Sequence, residues 1–408
     1  MSWHQTYSRD QGDGGRADPN THRGGIWRPE DSGVGDDVER RSSHREVCCG
    51  SERDARGGSD SGTGSGSLNH RQELLHLLPI GVRRPWGGDQ RIAQLRPQLD
   101  ALPPIGECWE VSDVGEEDAS LHSVVADGSD AGQSLRSLIE ADPERILGQI
   151  ANGTSPPRLP LLFKFIEAAQ DLSVQVHPDD ELARRLGLGP WGKSEAWIIL
   201  DAIPGATLQV GLKEGWTVES LVELARSGQD ISKALREHLI SRGDIIHLPA
   251  GTIHSIGAGI LLAEIQQSSD VTWRVDDGGR VGLDGKPRQL HLDQVLMTTT
   301  PPSIDQGPID RPAEDQGWWR PICGGPIILD ELHGEFQGRW PADPRCFSIV
   351  VVLKGQLHLE GHESPLGDGD VRFMLPSRGA SAQGLTCQEM NSSSDSWVLC
   401  ASSPVGVR

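Results

Sequence analysis

From about Gln72 onward the chain is a succession of short apolar runs cut by glycine and proline. LLFKFI (161–166) and LSVQV (172–176) predict two strands separated by a turn, with Ser173, Gln175 and His177 alternating onto one face. SEAWIILDAI (194–203) and ATLQVGL (206–212) predict two more. GDIIHLPAGTIHSIG (243–257), GILLAEIQQS (259–268) and VTWRV (271–275) read as short strands with tight turns. Helical spacing is confined to a few places. Leu135, Leu138, Ile139, Ile146, Leu147 and Ile150 keep it across 134–150, and HPDDELARRL (177–186) opens a short helix with an acidic first turn. The stretch at about 216–242 predicts an amphipathic helical pair, with Thr217 and Ser220 as N-cap residues. A second β-rich stretch follows at 324–402, with strands in FSIVVVLKGQLHLEG, GDGDVRFMLP and SWVLCAS. Both β regions carry a Gly-Asp-apolar-Pro turn, at Gly243–Pro249 and Gly369–Pro376. Many short strands with Gly/Pro punctuation predict a mainly β fold of tandem barrels with a small helical insertion, not alternating β/α units.

Composition then divides the chain. At 408 residues, length alone suggests two to three domains of roughly 150 residues each. Gly 50 and Pro 27 are high, and hydrophobics at 36% lie below an ordinary globular average of about 45–50%, a range that also counts Gly. The shortfall sits in residues 1–70, whose aliphatic and Met residues are Met1, Ile26, Val34, Val38, Val47 and Leu68. That segment predicts a disordered Gly/Ser/Asp/Arg-rich tail, since it cannot bury enough apolar surface to offset its ordering entropy. Its GTGSG tract lacks the preceding strand and the GK[ST] of a phosphate loop. The expected organisation is a tail (1–70), a metal-binding barrel (71–300), a Pro/Asp-rich linker (301–323) and a second barrel (324–408).

A net charge of −21 argues against a nucleic-acid surface, which needs clustered Lys and Arg, and against an anionic-membrane binder. No run of 18 apolar residues predicts a membrane span, and MSWHQTYSRD has no apolar signal core. The seven cysteines are scattered and form no disulfide framework. The expectation is an acidic cytoplasmic protein, monomeric or weakly homo-oligomeric.

The chemistry concentrates in Gly243-Asp-Ile-Ile-His-Leu-Pro249-Ala-Gly251-Thr-Ile-His254. This G-x5-P-x-G-x2-H pattern resembles the second cupin motif, in which a Pro-Gly turn aims a histidine into a small barrel. Upstream, Gln175-Val-His177 and Lys193-Ser-Glu195 supply further ligand types. Two imidazoles and a carboxylate suit Zn²⁺ or a similar divalent ion with open positions, which is a catalytic ligand set. Gln175 is the weaker ligand of the group, being an amide.

LLFKFIEAAQDLSVQVHPDD, GKSEAWIIL, GDIIHLPAGTIHSIG and EIQQSSDVTWRV, with RRPWGGDQ and GECWEVSDV ahead of them, together resemble type I phosphomannose isomerases, most closely the short bacterial form. The resemblance runs from about residue 74 to 402. It implies tandem cupin-like (jelly-roll) barrels and a zinc-dependent interconversion of mannose 6-phosphate and fructose 6-phosphate. It places metal ligands on Gln175, His177, Glu195 and His254 and the active-site arginine on Arg274. It puts phosphate contacts on Ser173 and Arg280, and sugar-pocket positions on Lys193 and Glu264. Two departures stand out. VDDGGR (275–280) lacks the aromatics usual there, and Pro376-Ser-Arg-Gly-Ala has no histidine where His254 stands, so the second barrel is expected to hold no metal.

Aldose–ketose isomerisation moves a proton between C1 and C2 through a cis-enediol. It needs polarised oxygens, a base and a grip on the phosphate. Glu264 and Lys193 are both candidates for the base. Arg274 suits the developing enediolate, and Arg280 and Ser173 suit the phosphate. The tryptophans at 86, 109, 191, 197 and 273 read as packing residues. An isomerase of another sugar phosphate, or a non-catalytic sugar-binding cupin, are the competing readings.

Overall fold

The computed structural model describes residues 73–88, 90–99, 103–115, 118–298, 307–312, 317–377 and 389–404. The expected tail (1–70) and parts of the expected linker (301–306 and 313–316) lie outside them. Strands dominate. In chain order they begin with β1 (Leu74–Leu75), β2 (Ile80–Gly88), β3 (Ile105–Val111), β4 (Leu161–Ala168), β5 (Val174–Val176) and β6 (Glu195–Ala202). Next come β7 (Thr207–Leu212), β8 (Leu235–Leu239), β9 (Ile245–Leu248), β10 (His254–Ile256), β11 (Ile260–Gln267) and β12 (Trp273–Asp276). The last eight are β13 (Trp318–Ile322), β14 (Ile328–His333), β15 (Phe336–Arg339), β16 (Ser348–Lys354), β17 (Leu357–Leu359), β18 (Val371–Met374), β19 (Glu389–Ser392) and β20 (Trp397–Ser402).

Each half builds a large sheet and a smaller one. The first half pairs β2-β3-β4-β11-β6-β9 and β12-β5-β10-β7-β8; the second pairs β1-β18-β16-β20-β14-β13 and β15-β19-β17. The two-residue side-chain period explains why the central strands are apolar on both faces. On β11, Ile260 and Leu262 pack into a core with Leu208, Val210 and Ile256 of the smaller sheet. Their neighbours Leu261, Ala263 and Ile265 face the opposite way. There they meet Phe347, Ile349, Val351 and Phe373 of the second half in one continuous cluster. In the second half, Val350 and Val352 turn inward with Leu357 and Met390. The large sheets therefore pack outer face to outer face.

Several expectations change in detail. The helical pair at about 216–242 is one helix, Val218–Arg226, closed by a capping box between Thr217 and Ser220, so Ser220 is its third residue and not a cap. Gly228 at φ +66° stops it. The remainder forms a single 3₁₀ turn, Ser232–Ala234, and then β8, which pairs with β7 as a sheet edge and leaves Leu239 74% exposed. The connector is also shorter than read, because β13 begins inside it. β1 joins the second half's sheet, beside β18. Cys108, Cys346 and Cys400 are buried free thiols, and Cys323 is in a disulfide. No helix among the described residues is long and apolar enough to cross a membrane.

Candidate active site

Three strands bring the chelating side chains together on inner faces of the first half. β5 and β10 pair with Gln175 opposite His254, and β5 also pairs with β12, Gln175 opposite Arg274. Glu195 opens β6. The turn before β10 depends on Gly251, whose φ of +84° suits glycine and whose N–H donates to the His177 carbonyl at 2.9 Å. The ligating atoms of His177, Glu195 and His254 all lie within 4.8 Å of one another. His177 Nε2 is 3.2 Å from Glu195 Oε1, and His254 Nε2 is 3.5 Å from Oε2. The Gln175 amide stands 3.3 Å from His254 Nε2, and Ser173 Oγ donates to its Oε1 at 3.2 Å. Turning that amide over points its oxygen at the same centre.

Both imidazoles are oriented from behind. His177 Nδ1 donates to the Val271 carbonyl at 2.7 Å, and His254 Nδ1 to the Thr252 carbonyl at 2.9 Å. A carbonyl only accepts, so each Nε2 keeps its lone pair and faces the cluster. Burial, reinforced by the Lys193 charge, pushes His177 down to about 3. Burial likewise lowers His254. Burial works the other way on Glu195, yet Lys193, with Nζ 2.8 Å from Oε1, and the two histidines hold it well below the carboxylate range. Two neutral imidazoles and one carboxylate thus converge. His177 Nε2 and Glu195 Oε2 are buried without a hydrogen bond, although the ion-pair distances are short. Buried lone pairs left unmatched are costly, and a divalent cation satisfies them. The residues fit a metal ion.

Gln175 and Glu195 of this cluster border a cavity of about 540 Å³, within the range of small-ligand sites. Lys193 and Glu264 both line it. The register of β11 sets Glu264 opposite Lys164 on β4 and Trp197 on β6. Lys164 Nζ lies 3.3 Å from Glu264 Oε1 and 3.7 Å from Glu107 Oε2. Arg84 clasps Glu107 with two bonds of 2.9 and 3.2 Å, and Trp109 Nε1 donates to it at 2.6 Å. Burial and the nearby Glu195 push Glu264 up to about 7 against the pull of Lys164 and Lys193. Glu107 behaves oppositely: burial raises it, but Arg84 and Lys164 hold it far below the usual range. One carboxylate is therefore kept charged and its neighbour is poised near neutrality, a division that supports acid–base work.

Of the residues expected from sequence, Ser173, Gln175, Lys193, Glu195, Glu264 and Arg274 line this cavity, and His177 and His254 close the chelating cluster. Arg280 is not among the lining residues; it lies in the turn after β12 with Nη1 3.7 Å from Asp277 Oδ1. Arg288 and His291 do line the wall, as do Arg84, Glu107 and Lys164, none of which was given a role from sequence. Lys164 carried a signal, being a charge flanked by apolar residues in its strand as Glu264 is. Arg288 and His291 follow a loop and carried none. Trp109, Trp197 and Trp273 are buried packing residues, while Trp86 and Trp197 also border the cavity.

Comparison with known proteins identifies the family. Residues 75–189 match the family described as phosphomannose isomerase type I, catalytic domain. YvyI of Bacillus subtilis, assigned by name to the mannose-6-phosphate isomerases, is 32% identical over 321 residues, spanning 75% of this chain and 94% of the relative. The mannose-6-phosphate isomerase ManA of the same organism is 36% identical over 234 residues, covering 57% of this chain and 70% of its own length. The crystal structure of the mannose 6-phosphate isomerase from Bacillus subtilis superposes with a TM-score of 0.66 at 29% identity, over 81% of this chain and 100% of that one. The chain belongs to the type I phosphomannose isomerase family, and is a sugar-phosphate isomerase of mainly β, cupin-like fold.

Proposed function

We propose that the protein interconverts mannose 6-phosphate and fructose 6-phosphate through a cis-enediol, with one divalent ion, zinc, held by Gln175, His177, Glu195 and His254. The observation that carries this reading is the convergence of unprotonated, unpartnered Nε2 and carboxylate atoms beside Glu264, Lys164 and Lys193. When bound, such an ion supplies Lewis acidity toward the sugar's C1 and C2 oxygens.

The chain's own residues account for the proton traffic. Glu264, with a pKa of about 7, takes the C2 proton of the open-chain aldose. The C2–H electrons form the C1=C2 bond as O1 gains a proton, giving the enediol. Loss of the O2 proton and return of a proton to C1 then yields the ketose. Lys164, 3.3 Å from Glu264, steadies its charged form. Lys193 is engaged by Glu195 at 2.8 Å, so of the two candidate bases Glu264 is the better suited. Arg274, on β12 beside Gln175, faces the charge that develops on the enediolate oxygens. Ser173 offers a hydroxyl toward the phosphate.

Turnover of mannose 6-phosphate in D₂O tests the reading. Fructose 6-phosphate carrying solvent deuterium at C1 is expected. Absence of turnover, or no exchange at any extent of reaction, contradicts it.

A further inference from the structure

Beyond the residues already given roles, the cavity wall carries Arg288 and His291 near Arg274, with Asp270 and Asp284 as its nearby carboxylates. Arg274 forms no ion pair among the described residues, and its Nε is buried without a hydrogen bond. Burial and the charge of Arg288 both work against its protonated form. Asp277 is shared. Arg288 Nε donates to its Oδ2 at 2.7 Å, a second guanidinium nitrogen of Arg288 bonds Oδ1, and Arg280 lies 3.7 Å from that same oxygen. One carboxylate thus serves two arginines, and Arg274 feels it and Asp270 only through longer-range attraction, with no ion pair of its own among the described residues. Asp284 also lines this region, but it receives the Lys286 backbone N–H in its own turn.

His291 completes the arrangement. It exchanges backbone bonds with β12: its N–H donates to the Arg274 carbonyl at 2.8 Å, and the Arg274 N–H donates to its Nδ1 at 3.0 Å. An Nδ1 that accepts is unprotonated, so in the neutral ring the proton is on Nε2. Burial and Arg274 keep the ring neutral by lowering its pKa. Nε2–H makes no protein hydrogen bond among the described residues, and His291 lines the cavity.

We propose that Arg288 and His291 form the phosphate-binding end of the site. Arg288 is fixed by Asp277 with its free N–H edge offered to the anion, and His291 Nε2–H is a neutral donor beside Arg274. The assignment rests on the sugar-phosphate reading. It gives to Arg288 the role that family resemblance placed on Arg280.

Kinetics and calorimetry with inorganic phosphate as the probe test it. In His291→Asn the amide oxygen still accepts from the Arg274 N–H but the Nε2 donor is gone. Arg288→Lys keeps a charge beside Asp277 but loses the fork. Each variant is expected to raise KM for mannose 6-phosphate and weaken phosphate binding by about 10- to 100-fold, the loss of one hydrogen bond to a charged group. kcat, metal content and melting temperature should change little. A merely structural histidine would leave His291→Asn like the wild type while His291→Ala failed, and that result overturns the proposal. So does an Arg280→Lys variant that weakens phosphate more than Arg288→Lys. Phosphate calorimetry reads this end without turnover, so a wild type that binds phosphate through these residues yet does not isomerise mannose 6-phosphate would count against the proposed reaction alone.

Discussion

Glu264 is a carboxylate set in a strand of aliphatic side chains, and its surroundings decide what it can do. With its pKa pushed to about 7, the acid limb of the kcat profile should fall near that pH. Lys164→Met removes the ammonium 3.3 Å away and should move the limb to higher pH, while Glu264→Gln should lower kcat by about 10²- to 10⁴-fold. A limb that stays put in Lys164→Met would show that the pair does not tune the base. The histidines give a second pH signature. His177 has a folded pKa of about 3 against an ordinary 6.5, so between those values the unfolded chain binds a proton that the folded chain does not. Stability of the metal-free protein should therefore rise with pH across that window and fall as the solution is acidified through it. Melting temperatures measured from pH 7 downward should show a shallower fall in His177→Gln. At this scale the sequence was informative wherever a polar residue interrupts an apolar alternation. His177 stood out that way, His254 through its Pro-Gly turn pattern, and Glu195 and Glu264 took their roles from the family resemblance. Arg288 and His291 follow a loop whose path sequence spacing does not encode.

The strands convert those residues into a site through register. Pairing β11 between β4 and β6 brings Glu264 against Lys164 on one side, and β5 against β10 brings Gln175 against His254. A local strap holds the segment that carries Lys193. Gln267 accepts from Ser194 N at 2.9 Å and donates to Asp180 at 2.8 Å, and Asp180 accepts from Gly192 N at 2.8 Å. β2 and β3 meet just as closely. A Cβ on Gly87 would sit 2.4 Å from the Gly106 nitrogen and 2.5 Å from the Ile105 carbonyl carbon, backbone atoms that cannot turn aside. Gly87→Ala should destabilise the protein by about 1–3 kcal/mol and displace the neighbouring Arg84–Glu107 clasp, lowering activity as well as melting temperature. An unshifted melting curve would show that the strands yield easily. Strand identities in the apolar runs were legible because alternation and burial agree. The stretch that became β8 misled because Val218–Arg226 is amphipathic and the same period was carried past Gly228. An edge strand needs only one partner, β7, to override so weak a pattern.

At the scale of the whole molecule, the outer face of the catalytic half and the outer face of the second half form one core, in which Phe163 and Ile265 join Phe347 and Phe373. Calorimetry should therefore record a single cooperative unfolding transition for both halves, and two resolved transitions would contradict that coupling. The second half so becomes a support for the large catalytic sheet, a role invisible in a strand pattern that shows which residues are apolar and not what they face. The charge pattern also gains meaning at this scale: a chain of net charge −21 brings Arg274 and Arg288 into the lining of one cavity. The central claim is that one divalent ion on Gln175, His177, Glu195 and His254 is required for isomerising mannose 6-phosphate. Stepwise return of zinc to chelator-stripped protein, with fructose 6-phosphate formation followed at each step, tests it most directly. Activity should rise linearly and stop at one ion per chain, and His254→Ala should neither hold the ion nor regain activity; full activity in the stripped protein, or in His254→Ala, would contradict the account.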